Sequence, residues 1–416
     1  MSAKKEPRKV KPAARGADLP LSGLRVLDFT IAMAGPLASQ RLGDLGADVV
    51  KIESFAGDLT RLFALCGVTV EGETTSYLAL NRNKRSVALN LKCAAGLAIV
   101  RKLARSADVV LQNFRPGVAQ RLQIDYERLR RVNPRLVYVS ISGYGPTGPL
   151  VEAPGQDLLV QSFTGVTFSA GAADDPPHAA PTYVVDTCAS HLATEAVLAA
   201  LLHRQRTGKG QHVQTSLLAA ALEMQCQEVM TYFQTRRPAR RGKAPFASAW
   251  LEPPYGVYRT ADSWIALSQN DNRIIAEVVE SAEMSQLAAA QPDRASATED
   301  KVATWRDAMY AVLQAALTRR TAKDWVERLS ARGVWCGPVN TFDESLDHPQ
   351  TRPLIAAFDF GARPVPGVGH VFNFSCAPVL PLRAPPRLGE HTAEVLLEAG
   401  YSKRSIEGFI KKGAVR

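Results

Sequence analysis

Residues 24–53 constrain this chain more than any other stretch. Arg25-Val26-Leu27-Asp28-Phe29 reads as a short strand after Gly23, and Ile31-Ala32-Met33-Ala34-Gly35 as a tight turn of mostly small residues. Pro36 suits the first turn of a helix, where its missing N–H is no loss. That helix reaches about Leu45 and stops at Gly46, a residue that tolerates the left-handed C′ position. Ala47 to Glu53 is the next strand. Strand, turn, helix, glycine and strand make a βαβ unit, which pairs its strands in parallel.

The pattern recurs. Strands are expected at Ser86–Leu91, Ala107–Gln112 and Leu136–Ile141, with helices at Ala94–Ser106 and from Asp125 to Arg131. Helices are also expected at 187–205 and 213–234, split by Thr207-Gly208-Lys209-Gly210. The fold class is therefore α/β, a doubly wound Rossmann-like large domain. A hairpin near Tyr255–Tyr258 and Trp264–Leu267, with helices over roughly 272–289 and 300–331, marks a small α+β domain. The expected organisation is a disordered basic arm at 1–20, the N-terminal part of the large domain at 21–230, the small domain at 245–335, and a return segment at 336–416 that completes the large domain. Strand structure is expected from Val334 to Phe342, then two Pro-rich segments and a final helix at 391–399.

A net charge of +10 invites a nucleic-acid reading, so its location matters. Residues 1–20 and 401–416 each net +4, and the stretch from Arg236 to Lys243 nets +5, which leaves the rest at −3. Charge on two ends and one loop does not make an ordered face that reads base edges, so no nucleic-acid partner is expected. The first 20 residues carry no apolar signal core and no run approaches about 18 apolar residues, so no membrane span and a cytoplasmic location are expected. The six cysteines and seven histidines form no CxxC or HExxH spacing, and no metal site is expected.

Several positions admit two readings. The first βα turn can present N–H groups to an anion, or be a turn packed for structure. Its Ala32-Met33-Ala34-Gly35-Pro36 lacks a GxGxxG pattern, although Glu53 lies 18 residues after Gly35, near the ribose acid of a dinucleotide site. Asn113-Phe114-Arg115-Pro116-Gly117 leaves the carboxyl end of a strand, where ligands collect in open sheets; it is also an ordinary loop exit. Lys84, Arg85 and Arg121 are surface cations or phosphate partners. Asp186 follows the short apolar run Tyr183-Val184-Val185 and precedes a helix expected from Thr187. It reads as an N-cap or as a carboxylate nucleophile, and the two are compatible. Cys188 reads as a small buried helix residue rather than a thiol nucleophile.

In order and spacing, these segments resemble the class III (CaiB/BaiF-type) CoA-transferases, the family of formyl-CoA transferase and dicarboxylate CoA-transferases. The resemblance covers about residues 20–400. Its pieces include Leu-Gly-Asp-Leu-Gly-Ala-Asp-Val-Val-Lys-Ile-Glu (42–53), Asn-Arg-Asn-Lys-Arg-Ser (81–86), Ala-Asp-Val-Val-Leu-Gln-Asn-Phe-Arg-Pro-Gly (107–117), Gly-Tyr-Gly-Pro-Thr-Gly-Pro (143–149) and Cys-Gly-Pro-Val-Asn (336–340). It implies an interlocked homodimer that moves CoA from an acyl-CoA, such as succinyl-CoA, to a carboxylic acid acceptor. CoA is then a substrate, with no tightly bound cofactor. The family's nucleophile falls on Asp186. Its CoA contacts fall on Met33 and Ala34, on Leu89 to Lys92, on Asn113, Phe114 and Arg115, on Arg121, and on Ser142, Gly143, Tyr144 and Gly145. Ser54 replaces an Arg of the formyl-CoA enzyme, and Arg61 or Arg121 are candidates to compensate. Gln156 stands where racemase relatives carry a His base, which disfavours racemisation because Gln moves no proton at neutral pH. The alternatives are a racemase or isomerase of acyl-CoA and a non-catalytic CoA-binding protein.

Overall fold

The computed structural model describes residues 19–268, 270–293, 296–377 and 381–416. The expected basic arm lies, up to residue 18, outside them. The chain divides into two compact units. The first holds the residues up to Val160, Tyr183–Met224 and Pro349–Arg416; the second holds Gln161–Thr182 and Gln225–His348.

The first unit is built on a six-stranded sheet. Its strands are β1 (Arg25–Asp28), β2 (Asp48–Glu53), β3 (Lys84–Ala88), β4 (Val109–Gln112), β5 (Val137–Ser142) and β6 (Gln211–Ser216). They lie in the order β3-β2-β1-β4-β5-β6, every pair parallel. The chain order reverses between β1 and β4, the place where doubly wound folds open a ligand crevice. Alternate residues feed opposite faces, as the strand period of two demands. Val26, Val49, Val109 and Val137 pack on one side with the helices α1 (Ala34–Asp44) and α3 (Val184–Thr207). Leu27, Val50, Val110 and Tyr138 pack on the other, together with Val395, Leu396, Ile406 and Val415 from the end of the chain. A shorter helix, α2 (Asp157–Phe163), lies between β5 and α3 in the chain.

Several expectations are corrected. Residues 213–216 belong to a strand, because Gln211–Ser216 pairs in register along the whole of β5. The helical residues that follow are Leu217–Met224 and Cys226–Thr235. Strand β3 starts earlier than expected, at Lys84. One Pro-rich segment folds as a hairpin of Ile355–Phe360 with Arg363–Val368. A further helix, Lys403–Lys411, anchors itself through Ile406. Residues 161–182 and 336–348, expected in the large domain, cluster with the second unit. There Gly171 bridges Phe246, and Cys336–Pro338 pairs with Trp264–Leu267. In length and composition α3 suffices to cross a bilayer, yet Val185, Ala189, Ala193 and Val197 pack into the core.

The sheet carries buried charge beside the switch point. Asp28 and Lys51 are fully buried, and Lys84 and Asp58 nearly so. Lys84 Nζ lies 3.1 Å from Asp28 and also donates to Pro36 O and Asn81 Oδ1. Lys51 Nζ lies 2.7 Å from Asp58 and 4.0 Å from Asp28, and donates to Thr30 O. Burial alone would raise the Asp28 carboxyl, but Lys84 and Lys51 outweigh it and hold it at about 2. Burial brings the Lys84 ammonium down to about 8, with Asp28 opposing the drop, so the lysine stays charged at neutral pH. Removing one partner of such a group strands a buried charge. We expect Asp28→Ala to cost about 3–5 kcal/mol in guanidinium unfolding followed by far-ultraviolet circular dichroism. A loss under about 1 kcal/mol would mean that the lysines regain solvation and that the cluster is not a structural keystone.

Candidate active site

Loops from β1 and β4 meet at the switch point. The Asn113 side chain clamps the first βα turn from the β4 side, its Oδ1 accepting from Ile31 N at 2.8 Å and its Nδ2 donating to Ile31 O at 2.7 Å. Asp58 Oδ1 accepts from Ala32 N, and Asp28 accepts from both the N–H and the hydroxyl of Thr30. The turn is forced: Ala32 holds a left-handed φ of 65°, and a Cβ on Gly35 would sit 2.3 Å from the Thr30 side chain. Met33 then becomes the N-cap of α1, and the Ala34 backbone N–H acts to lower the Asp186 carboxyl.

Asp186 is not the N-cap of its helix. The helix α3 begins two residues before it, with Tyr183 as N-cap and no side-chain cap bond from that residue. Asp157 supplies the missing acceptor. Its Oδ2 takes the N–H of Val185 at 2.8 Å and of Asp186 at 2.9 Å. The segment before Asp157 is seated by a glycine pair: a Cβ on Gly143 would lie 2.5 Å from Gly155 Cα. Burial, and then the neighbouring Asp157 charge, push the Asp186 carboxyl up to about 7; the Ala34 N–H pulls the other way. The result is a half-buried carboxylate whose ionised form is disfavoured. The sequence singles out the neighbouring Gln156 but gives Asp157 no role. Nothing in its sequence context shows that its partner is a helix turn almost 30 residues on.

The other expected residues separate into two groups. Phe114, Arg115 and Ser142 line a cleft of about 190 Å³ beyond β4, β5 and β6, with Tyr126, Tyr138 and His212. Gly143 and Tyr144 lie on the loop after β5, where Tyr144 packs on the α3 face of the core. Met33, Ala34, Lys92, Arg121 and Asp186 do not line that cleft. Lys92 and Arg121 are exposed.

Several expected contacts are already engaged. The side chain of Leu89 is fully buried, and its N–H bonds Glu53 O, so the side chain does not face a ligand. The Asn113 amide is used at both ends by Ile31. The N–H of Gly145 is donated to Ser142 Oγ. Glu53 is 4% exposed and taken by Arg61, Ser86 and the Asp58 N–H, so it is no ribose acid. Arg61 is spent on Glu53 and Glu73 and stacks on Tyr77, which rules it out as a substitute for the missing cation at Ser54. Lys84 is buried with Asp28, and Arg85 pairs with Asp48, Glu394 and Glu398.

The basic stretch lies in the second unit and is partly matched there, Arg237 with Glu299 and Arg240 with Asp300. Burial and the nearby Glu223 and Glu195 push the Cys188 thiol up, and its Sγ points at Ala220 O, so it suits packing rather than attack. Among the described residues, no group of three or more His, Cys, Asp or Glu side chains is arranged to hold a metal ion.

Comparison with known proteins follows the same lines. Succinate–glutarate CoA-transferase of Agrobacterium fabrum is 34% identical over 93% of this chain and 97% of its own length. Succinyl-CoA:glutarate CoA-transferase of Mus musculus is 30% identical over 95% of this chain and 90% of its own. The crystal structure of a CaiB/BaiF family protein from Brucella suis superposes with a TM-score of 0.76 at 31% identity, covering 92% of this chain and 99% of the other. The family model for CoA-transferase family III matches residues 21–392, and the chain belongs to that family, an enzyme that transfers CoA.

Proposed function

We propose that this enzyme exchanges CoA between dicarboxylic acids, with succinyl-CoA as donor and Asp186 as the nucleophile. The observation that carries the reading is the Asp186 carboxylate: half-buried, raised to about 7, and set in the first turn of α3 beside Asp157. A desolvated carboxylate is a stronger nucleophile than one in water, because no hydration shell must be stripped before attack. The names of the two curated relatives above support the dicarboxylate choice.

The chemistry balances without an outside reagent. The Asp186 carboxylate attacks the thioester carbonyl, the C–S bond breaks, and CoA thiolate leaves a mixed anhydride. The thiolate attacks the aspartyl carbonyl and expels the donor carboxylate, giving an aspartyl-CoA thioester. The acceptor carboxylate attacks that thioester and releases the thiolate again. Thiolate attack on the acceptor carbonyl then forms the new acyl-CoA and frees Asp186. The Ala34 N–H is the donor that balances negative charge on the aspartyl oxygen during these steps. Phe114, Arg115 and Ser142, on the cleft at the carboxyl end of the sheet, are proposed to meet CoA together with the exposed Lys92 and Arg121. Met33, Ala34 and Asn113 act by shaping the turn.

A homodimer, with the chains interlocked as the family resemblance implies, is part of the proposal. Large apolar side chains stand exposed on the first unit at Leu62, Phe63 and Leu65, and on the second at Phe233, Trp335 and Phe342. Exposure on that scale favours a partner surface. A cytoplasmic location is proposed with it.

Mass spectrometry of mixtures of succinyl-CoA with glutarate, malate, oxalate and monocarboxylates tests the substrate class. We expect glutaryl-CoA or another dicarboxylyl-CoA without ATP; exchange only with monocarboxylates would refute the dicarboxylate reading. Asp186→Ala and Asp186→Asn should abolish exchange while CoA still binds by calorimetry, and retained turnover would exclude Asp186 as nucleophile. Attack needs the ionised carboxylate, so kcat/KM should fall as pH drops through about 7. A profile flat from pH 5.5 to 8.5 would contradict a nucleophile with that environment.

A further inference from the structure

We propose that Asp157 is a positioning residue of the transfer reaction, capping the Asp186 helix from outside and keeping the Asp186 carboxylate reactive. This deepens the reading of Asp186 as nucleophile and rests on it.

The first N–H groups of a helix have no partner inside it. They usually draw on the N-cap side chain, and together with the helix dipole they favour an ionised acid in the first turn. An Asp at the third helical position would ordinarily be a stabilised, weakly nucleophilic carboxylate. Here the arrangement differs. Tyr183 makes no cap bond, and the N–H groups of Val185 and Asp186 both go to Asp157 Oδ2 at 2.8 and 2.9 Å. Asp157 is 2% exposed, so its charge acts through protein rather than water. The carboxylate that satisfies the helix end thus cancels the positive field that would calm Asp186, and adds a negative neighbour.

The placement is built into the backbone. Gly143 and Gly155 touch so closely that a Cβ on either would meet the other's Cα within 2.5 Å. The loop leaving β5 therefore holds the segment that delivers Asp157. From the other side, the Ala34 N–H on the first βα turn acts to pull the Asp186 carboxyl back down. One acid is spent as a cap and the other is kept for chemistry. Their environments set these roles, as in other sites where two carboxyl groups divide the work.

Asp157→Asn separates the two effects. An Asn Oδ1 can still accept both N–H groups, so the helix end stays satisfied while the negative neighbour disappears. The measurement is single-turnover formation of the hydroxylamine-sensitive adduct from succinyl-CoA, across pH 5.5–8.5, with thermal unfolding in parallel. We expect Asp157→Asn to keep its melting temperature, to move the acid limb down by about one pH unit, and to lower the plateau rate several-fold with little change in KM for succinyl-CoA. Asp157→Ala should lose both cap and charge and fall further in kcat, with Asn recovering part of that loss. An unmoved acid limb in a folded Asp157→Asn enzyme overturns the proposal, as does a change confined to melting temperature. Asp186→Ala keeps the two claims apart: adduct formed without Asp186 refutes the nucleophile, whereas no adduct there with an unmoved limb in Asp157→Asn refutes the positioning role alone.

Discussion

The site depends on a charge cluster sealed under the first βα turn. Asp28 and Asp58 face Lys51 and Lys84, and none of the four reaches water to any useful extent. Desolvating such groups costs several kcal/mol each, and only close pairing with added hydrogen bonds offsets it. Those added bonds go to the turn itself: the Thr30 N–H and carbonyl, the Ala32 N–H and the Pro36 carbonyl. A left-handed Ala32 would be costly in a loop free to relax. Here every neighbouring polar group is already committed to that shape, so the cluster converts buried charge into a rigid loop. The same loop carries the Ala34 N–H that acts to lower the Asp186 carboxyl.

Rigidity of this kind suits covalent exchange. In the proposed exchange the aspartyl group alternates between carboxylate, anhydride and thioester, and a donor fixed beforehand adds no reorganisation cost at each step. The sheet contributes by its order alone. Reversal between β1 and β4 sets the switch point, and Asn113 ties the loops of the two strands together there.

Much of this was legible in the residues. Near-continuous apolar runs in 25–29, 47–53, 107–112 and 136–141 marked four of the six strands closely, because strands buried on both faces allow little else. Asp186 was legible as a residue at a helix start. The edge strand β6 was not, since Gln211-His212-Val213-Gln214-Thr215-Ser216 carries only a half-buried pattern and becomes a strand through pairing with β5. Nor did spacing reveal that Glu53, Arg61, Lys84 and Arg85 are consumed by one another and by acids from distant segments. A charged side chain reads the same in sequence whether it faces a phosphate or a buried aspartate.

What the sequence determined by itself was the class of architecture and, through its resemblance to one family, the acid proposed as nucleophile. Both follow from local periods, from Gly and Pro placement, and from a motif order specific enough to resemble one family. Tertiary structure decided the different surroundings of two aspartates. Asp157 and Asp186 are the same residue type, both at the start of helices. Only the fold brings Asp157 onto the N–H groups of Val185 and Asp186, and brings Ala34 to Asp186 alone. Burial and hydrogen-bond partners set the reactivity of a carboxylate, and both belong to the folded chain.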